Sequence, residues 1–203
     1  TVITADLKVK ICKLSEMDEP FISKYAQKLI SPAENKLLVL HFAAVPDAKV
    51  MVIPKNTAIE NPIIIEAKAT AIASAESIII VAEEGAQATI IEKATSSNDA
   101  YYKSQVVQVY VHPKAKITYC TVHNETAGMH LFTTKRAEVL QDANINWIDF
   151  VIGEGFTQVQ VRSHLRESGA EAQQYQAIVG AETQQCDINS DTFHEQSNTA
   201  SVM

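Results

Sequence analysis

From residue 37 to the end of the chain, apolar and polar residues alternate in short runs that are separated by turn residues, and this pattern is typical of β-strands. The predicted strands cover residues 37–42, 49–53, 63–67, 77–82, 88–92, 105–111, 116–122, 129–139, 144–152, 157–165, 172–179 and 187–193. Because no helical periodicity separates these strands, the pattern excludes a layered βαβ fold.

The first 36 residues have a different pattern. Residues 2–14 are strand-like, and Ser15 and Asp18 then open a predicted helix over residues 17–30 with Pro20 in its first turn. Apolar residues follow at helical spacing, at Phe21, Ile22, Tyr25 and Leu29. We therefore predict two regions, an N-terminal strand and helix segment at 1–36 and an all-β core at 37–203.

A short phrase, consisting of a polar turn, an alanine and then alternating residues, recurs along the core. Its alanines are Ala48, Ala86, Ala115, Ala143 and Ala170, at steps of 38, 29, 28 and 27 residues. Repetition at this period is the signature of stacked β coils that place the same small residue at the same corner. The phrase predicts a parallel β-helix with the alanines inside. A sandwich or jelly roll, the alternative, also has many short strands but does not require the repeat.

The composition of the chain limits the classes of function that it can have. The 203 residues are 46% apolar, enough for a real core, and the net charge of −7 without a basic cluster argues against nucleic-acid binding. The apolar runs are too short for a membrane span. Cys12, Cys120 and Cys186 are few and widely spaced, which favours free thiols in the cytoplasm. The chain begins at Thr1, so we expect it to be part of a longer protein.

Several segments resemble the SufB/SufD proteins, and together they extend from about residue 8 to the end of the chain. The segments are Val-Ala-Glu-Glu-Gly at 81–85, the stretch 111–124 with Val-His-Pro-Lys-Ala, Phe-Thr-Thr-Lys-Arg-Ala at 132–137, His-Glu-Gln-Ser-Asn-Thr-Ala-Ser at 194–201 and Val-Ile-Pro-Lys-Asn at 52–56. The resemblance lies in the order and spacing of these segments.

The resemblance implies a right-handed parallel β-helix that acts as a scaffold in SUF-type iron–sulfur cluster assembly, without enzymatic activity of its own. It implies a SufC-type ATPase and a SufB/SufD-like partner, or a second copy, and a transient iron–sulfur cluster. The family continues into a C-terminal region that docks the ATPase, so this chain is either a fragment, which we favour, or a truncated relative. The sequence leaves open whether flavin takes part and which cluster type forms.

Lys135 is the sharpest candidate for chemistry. Alternation along the strand at 129–139 places it on the more apolar face, inside the coil, where lysine is rarely found without a partner. The resemblance implies the same residue, within Thr134-Lys135-Arg136, as part of an internal path for sulfur. The other interpretation is a strand end at which Lys135 reaches solvent.

The candidate ligands for iron or a cluster are few. Cys120 points outward by phase, and His123 follows in an expected turn. Cys186 and His194 share the inward face, but their separation of eight strand residues places them more than about 25 Å apart. Cys186 can also be interpreted as a small buried hydrophobic residue without a ligand role. Glu195 beside His194 is a further candidate at a partner interface.

Two departures from the family pattern favour a SufD-like role or a divergent merged relative. In SufB-like members an acceptor cysteine follows Ile-Glu-X, whereas Ala94 follows Ile91-Glu92-Lys93 here. The later cysteine that anchors the nascent cluster would lie beyond Met203.

Two further functions remain open. The first is a β-helix carbohydrate-active enzyme, a polysaccharide lyase or glycosidase, since Asp187, Asp191 and Glu195 form an acidic row, although without an accompanying Arg or Lys. The second is a purely structural solenoid. No glycine-rich phosphate loop is present, so ATP hydrolysis is expected from a partner.

Overall fold

The structure, a computed structural model, describes residues 1–69, 72–96, 101–125, 128–181 and 183–203. Two short helices, α1 (Glu19–Tyr25) and α2 (Lys36–Ala44), lie in the N-terminal part. The strands are β1 (Val2–Thr4), β2 (Lys10–Lys13), β3 (Ala48–Ile53), β4 (Ile63–Ala69), β5 (Ala73–Ala82), β6 (Gln87–Ser96), β7 (Tyr101–Val111), β8 (Lys116–Glu125), β9 (Met129–Val139), β10 (Asn144–Gly153), β11 (Phe156–Leu165), β12 (Glu171–Gly180), β13 (Gln185–His194) and β14 (Ala200–Val202).

From β3 onward, successive strands alternate between two parallel sheets. The first sheet has the order β1-β4-β6-β8-β10-β12-β14 and the second has the order β13-β11-β9-β7-β5-β3-β2. Each of these strands therefore pairs in parallel with the strand one coil away, and within the described ranges only β1 and β2 form antiparallel pairings. The predicted parallel β-solenoid is confirmed, with about five turns.

The recurring alanines lie at one inner corner of the coil, as the repeated phrase predicts. Ala86, Ala115, Ala143 and Ala170 are fully or almost fully buried, and Ala48 is nearly so. The residue before each of the last four has a left-handed backbone, at Gly85, Lys114, Asp142 and Gly169. The N–H of each of these residues donates to a carbonyl of the next coil, so the turns form a continuous ladder. The small residue and the ladder together explain the repeat.

Helix α2 corrects the sequence analysis, which predicted a strand at 37–42. Asn35 caps the helix by accepting from Leu38 N at 2.9 Å, and Val45 ends it. The predicted helix over 17–30 is shorter than expected, because α1 ends at Tyr25. Helices α1 and α2 cover the outer face of the second sheet, where Tyr25 packs on Tyr110 and Leu38 packs near Val106. The solenoid itself therefore begins at β3 and not at residue 37.

Within the described part of the chain, no helix has the length and apolar character that a membrane span requires.

Candidate functional site

Inside the solenoid, polar side chains replace apolar ones at two neighbouring positions of the coil. In the first sheet, one inward position holds Ile65, Glu92, Thr121, Asp149 and Gln176 in successive coils. The inward position of the second sheet that carries Lys135 is apolar in the two adjacent coils, at Val107 and Val161. Lys135 is therefore a single cation that projects from an apolar ladder toward a polar one.

The Lys135 ammonium is fully buried. It donates to Thr121 Oγ1 and forms an ion pair with Asp149 Oδ1. The ring centroids of Tyr119 and Trp147 lie 5.4 and 5.7 Å from Nζ, at distances where an aromatic face attracts a cation. The other oxygen of Asp149, Oδ2, has no hydrogen-bond partner among the described residues. One carboxylate oxygen beside Lys135 is thus available to a further group.

Glu92 forms a second buried charge centre. It accepts from Tyr119 Oη at 2.6 Å and from Gln105 Nε2, and Lys103 Nζ lies 3.6 Å from Oε1. Burial alone would raise the pKa of Glu92, but Lys103 and the two hydrogen bonds outweigh it, so the pKa is lowered and the carboxylate is charged at neutral pH. Burial and the adjacent Glu92 raise the pKa of Tyr119 well above its usual value, which keeps it a donor.

His123 lies inside the coil in β8, which corrects the expected turn position. It is fully buried. Burial, followed by the charge of Lys135, lowers its pKa to about 4, so the imidazole is neutral near pH 7. The hydroxyls of Thr133 and Thr157, which are also buried, have no hydrogen-bond partner among the described residues. The neutral imidazole on β8 and the hydroxyls on β9 and β11 add further polar groups to the interior.

The two candidate cysteines of the core lie on opposite sides of the wall. Cys120 points outward between the inward residues Tyr119 and Thr121, and burial, then Asp149, raises the pKa of its thiol. Cys186 has the inward phase and is the register neighbour of Thr157, but it is exposed, so the expectation of a buried hydrophobe is wrong. Among the described residues β13 is the last strand of its sheet, so within them no further strand packs beside Cys186.

His194 and Glu195 are not brought together, because consecutive strand residues point to opposite faces. The ring nitrogens of His194 lie 2.7 Å from Thr199 Oγ1 and 2.9 Å from Ser201 Oγ. Glu195 instead binds Arg166 and lies 2.8 Å from His164 Nδ1 on the outer face. Among the described residues, no group of three or more His, Cys, Asp or Glu side chains is placed to hold a metal ion.

The outer acidic row is accompanied by cations, contrary to the sequence analysis. Asp191 binds Arg162 Nε at 2.7 Å, Glu195 binds Arg166, and Asp187 accepts from Gln158 Nε2 at 2.7 Å. These partners come from β11 and the residue that follows it, in register with the acidic row on β13. The carboxylates are therefore engaged in ladder contacts, and no observation favours a glycosidase site there.

Sequence reasoning found Lys135 but missed Glu92, Lys103 and Asp149 as members of the same interior site. The signal was present, since the alternation that places Lys135 inside also places Asp149 inside with Ile145 and Trp147.

Comparisons with known proteins find a matching family and several related proteins. The family described as "SUF system FeS cluster assembly, SufBD core domain" matches residues 63–203. An "Iron-sulfur cluster assembly SufBD family protein" of Staphylococcus aureus strain MRSA252 is 26% identical over 194 residues, which cover 94% of this chain and 42% of the relative. A protein of the same description from Staphylococcus saprophyticus is 24% identical over 190 residues, covering 92% and 41%. The chain thus spans less than half the length of the curated relatives it matches.

Proposed function

The chain belongs to the SufBD family of iron–sulfur cluster assembly proteins, and from this premise we propose that it is a scaffold subunit on which nascent clusters are built before transfer. The observation that carries the proposal is the set of buried charges around Lys135. Replacing a buried ion pair by apolar side chains of similar volume is often neutral or even stabilising, so stability alone does not account for these charges. Perturbed, buried titratable groups are typical of functional sites.

Sulfur is proposed to pass through the interior of the coil. The Lys135 ammonium is suited to stabilise an anionic sulfur species, and the buried hydroxyls of Thr133 and Thr157 can donate hydrogen bonds to such a species along the interior. Thr157 is the register neighbour of Cys186, so the polar interior extends toward the Cys186 thiol on β13. That arrangement supports a path from Glu92 past Lys135 toward Cys186.

The cluster is proposed to be shared with a second subunit, a SufB/SufD-like partner or a second copy. Cys186 and His194 lie at opposite ends of β13, eight residues or roughly 26 Å apart, which is too far for one iron site. Each of them therefore needs ligands from another chain. The remaining candidate ligands are Cys120, His123 and Glu195. The ATP hydrolysis that drives assembly is assigned to a SufC-type ATPase.

Anaerobic reconstitution of the full-length protein with iron and sulfide tests the scaffold proposal. Visible absorbance is followed for the wild type, for Cys186→Ala and for Lys135→Met/Asp149→Leu, a double variant that removes both buried charges. Lys116→Met, at an exposed position of β8, is the matched control. We expect an iron–sulfur chromophore in the wild type and the control, and its loss in at least one of the other two proteins. No chromophore in the wild type, even with the ATPase and the partner present, would contradict the proposal.

A further inference from the structure

Residues 26–35, which we call the strap, connect α1 to α2 across the outer face of the second sheet. Leu29 N donates to Gln108 Oε1 at 3.2 Å, and Ile30 is fully buried in a cluster with Leu38 and Val106. The strap therefore lies directly on the wall of the solenoid, on the side opposite to the interior.

Glu34 joins the strap to that wall with both of its carboxylate oxygens in use. Oε1 accepts from Ser31 N at 2.9 Å and so caps the turn of its own segment. Oε2 accepts from Arg136 Nη2 at 3.2 Å and lies 3.9 Å from Arg162 Nη1. Arg162 in turn binds Asp191 at 2.7 Å. The charges thus alternate in sign from Arg136 through Glu34 and Arg162 to Asp191.

Arg136 links this outer contact to the interior site. It is almost fully buried, and its Nη1 donates to the backbone oxygen of Lys135 at 3.1 Å. Consecutive strand residues point to opposite faces. Arg136 therefore lies on the outer side of β9, while the side chain of Lys135, the residue before it, enters the coil. Arg136 and Arg162 are register neighbours, and burial together with the charge of Arg162 lowers the pKa of Arg136.

We propose that Glu34 and Arg136 are positioning residues for Lys135, and that the strap controls access to the buried ammonium. The proposal rests on the proposed function, in which a sulfur species meets Lys135 inside the coil. Without the Glu34 charge, a buried guanidinium remains unpaired beside a second one, which is strongly unfavourable. The two cations then separate, Arg136 and the strap move outward, and β9 loosens at Lys135.

The test measures how fast Lys135 reacts with an amine-specific acylating reagent in the folded full-length protein, read by mass spectrometry. Glu34→Gln removes the charge and retains an oxygen that accepts from Ser31 N. We expect Lys135 to be acylated at least about tenfold faster in this variant, with faster hydrogen exchange in β9, because a broken buried pair opens its surroundings. Lys103, which is also buried but forms its ion pairs with Glu76 and Glu92 and not with Glu34, is the internal reference and is expected to stay slow.

Glu138→Gln is the matched control. Glu138 lies on β9, its side chain is 30% exposed like that of Glu34, and it pairs with Arg166 and not with the strap. Unchanged labelling of Lys135 in Glu34→Gln contradicts the proposal, and so does an equal increase in Glu138→Gln or at Lys103. The double variant Glu34→Gln/Arg162→Gln removes the repulsion, so it is expected to label more slowly than Glu34→Gln alone, and equal rates overturn the charge mechanism. Labelling needs no iron or sulfide, so its outcome is independent of cluster reconstitution.

Discussion

The buried pair of Lys135 and Asp149 sets the energetics of the interior at the scale of single residues. Each charge is fully or almost fully out of contact with solvent and is stabilised chiefly by the other. Replacing both with apolar side chains of similar volume is expected to preserve the fold, whereas replacing one leaves an uncompensated charge in a medium that solvates it poorly.

Lys135→Met is therefore expected to lower the free energy of unfolding by about 3–5 kcal/mol, because Asp149 is left buried without a cation. Lys135→Met/Asp149→Leu is expected to recover most of this loss. Chemical denaturation followed by circular dichroism measures both. A single variant that is as stable as the wild type would show that water reaches Asp149 and that the interior is not dry.

His123 predicts a pH dependence of stability. Burial lowers its pKa to about 4 from an ordinary value of 6.5, so between these two pH values the unfolded chain binds more protons than the folded one. The free energy of unfolding therefore falls as the pH drops from 6.5 to 4, and His123 contributes on the order of 3 kcal/mol to this fall. Above pH 6.5 the contribution of His123 no longer changes with pH.

Denaturation at several pH values measures this slope. His41 is also buried and its pKa is also lowered to about 4, by burial, so it contributes a second slope of the same sign. His123→Gln is expected to remove the His123 part of the slope between pH 4 and 6.5 and to leave the parts from His41 and from His112, whose pKa burial also lowers. An unchanged slope in the variant would mean that His123 is protonated as easily in the folded state as in the unfolded chain.

At the scale of elements, the left-handed turns fix the stacking of the coils. A Cβ at Gly169 would overlap Asp142 Oδ1 and lie 3.3 Å from Asp142 Cα, and its φ of +76° strains any other residue. Gly169→Ala is thus expected to destabilise the protein by about 1–2 kcal/mol or more. Gly180→Ala is the control, because its backbone is not left-handed and its Cβ meets only the end of the Gln184 side chain. Thermal unfolding of the two variants distinguishes them, and equal losses would argue against the turn ladder.

The same elements show what the sequence alone can predict. The predicted bounds of the strand at 129–139 are those of β9, and the predicted bounds of most other strands agree with the structure to within a few residues. Alternation and turn residues are local signals, so the sequence alone reveals them. Helix α2 was missed, since a short apolar run such as 37–42 fits a buried strand and a buried helix equally well. The cap at Asn35 was the local signal that separates the two.

The interior site was only partly predictable for a different reason. Alternation states which residues point inward but not which of them meet across the coil. Lys135 was placed inside correctly, whereas its contact with Asp149, 14 residues away, depends on how the two sheets face one another. The exposure of Cys186 likewise depends on its place at the edge of a sheet, which no local pattern reveals.

At the scale of the whole molecule, a solenoid is close to a one-dimensional stack in which each coil contacts mainly its neighbours. The strand pairs one coil apart dominate the structure, from β3 and β5 through β11 and β13. A substitution in the middle of such a stack weakens two interfaces, whereas one in an outermost coil weakens a single interface. The same chemical change should therefore have different consequences in different coils.

Ile117→Ala and Ile188→Ala test this prediction with one substitution at two inward positions. Ile117 is almost fully buried in β8, at the centre of the first sheet, and its truncation is expected to cost about 2–5 kcal/mol and to speed hydrogen exchange in several coils. In the polypeptide of residues 1–203, Ile188 is only partly buried in β13, so in that polypeptide its truncation is expected to cost less than about 1 kcal/mol and to affect exchange mainly in β13 and β14. Equal losses of global stability and a uniform change in hydrogen exchange would mean that the coils unfold as one cooperative unit. The ion pairs in the interior would then link neighbouring coils more strongly than backbone pairing alone does.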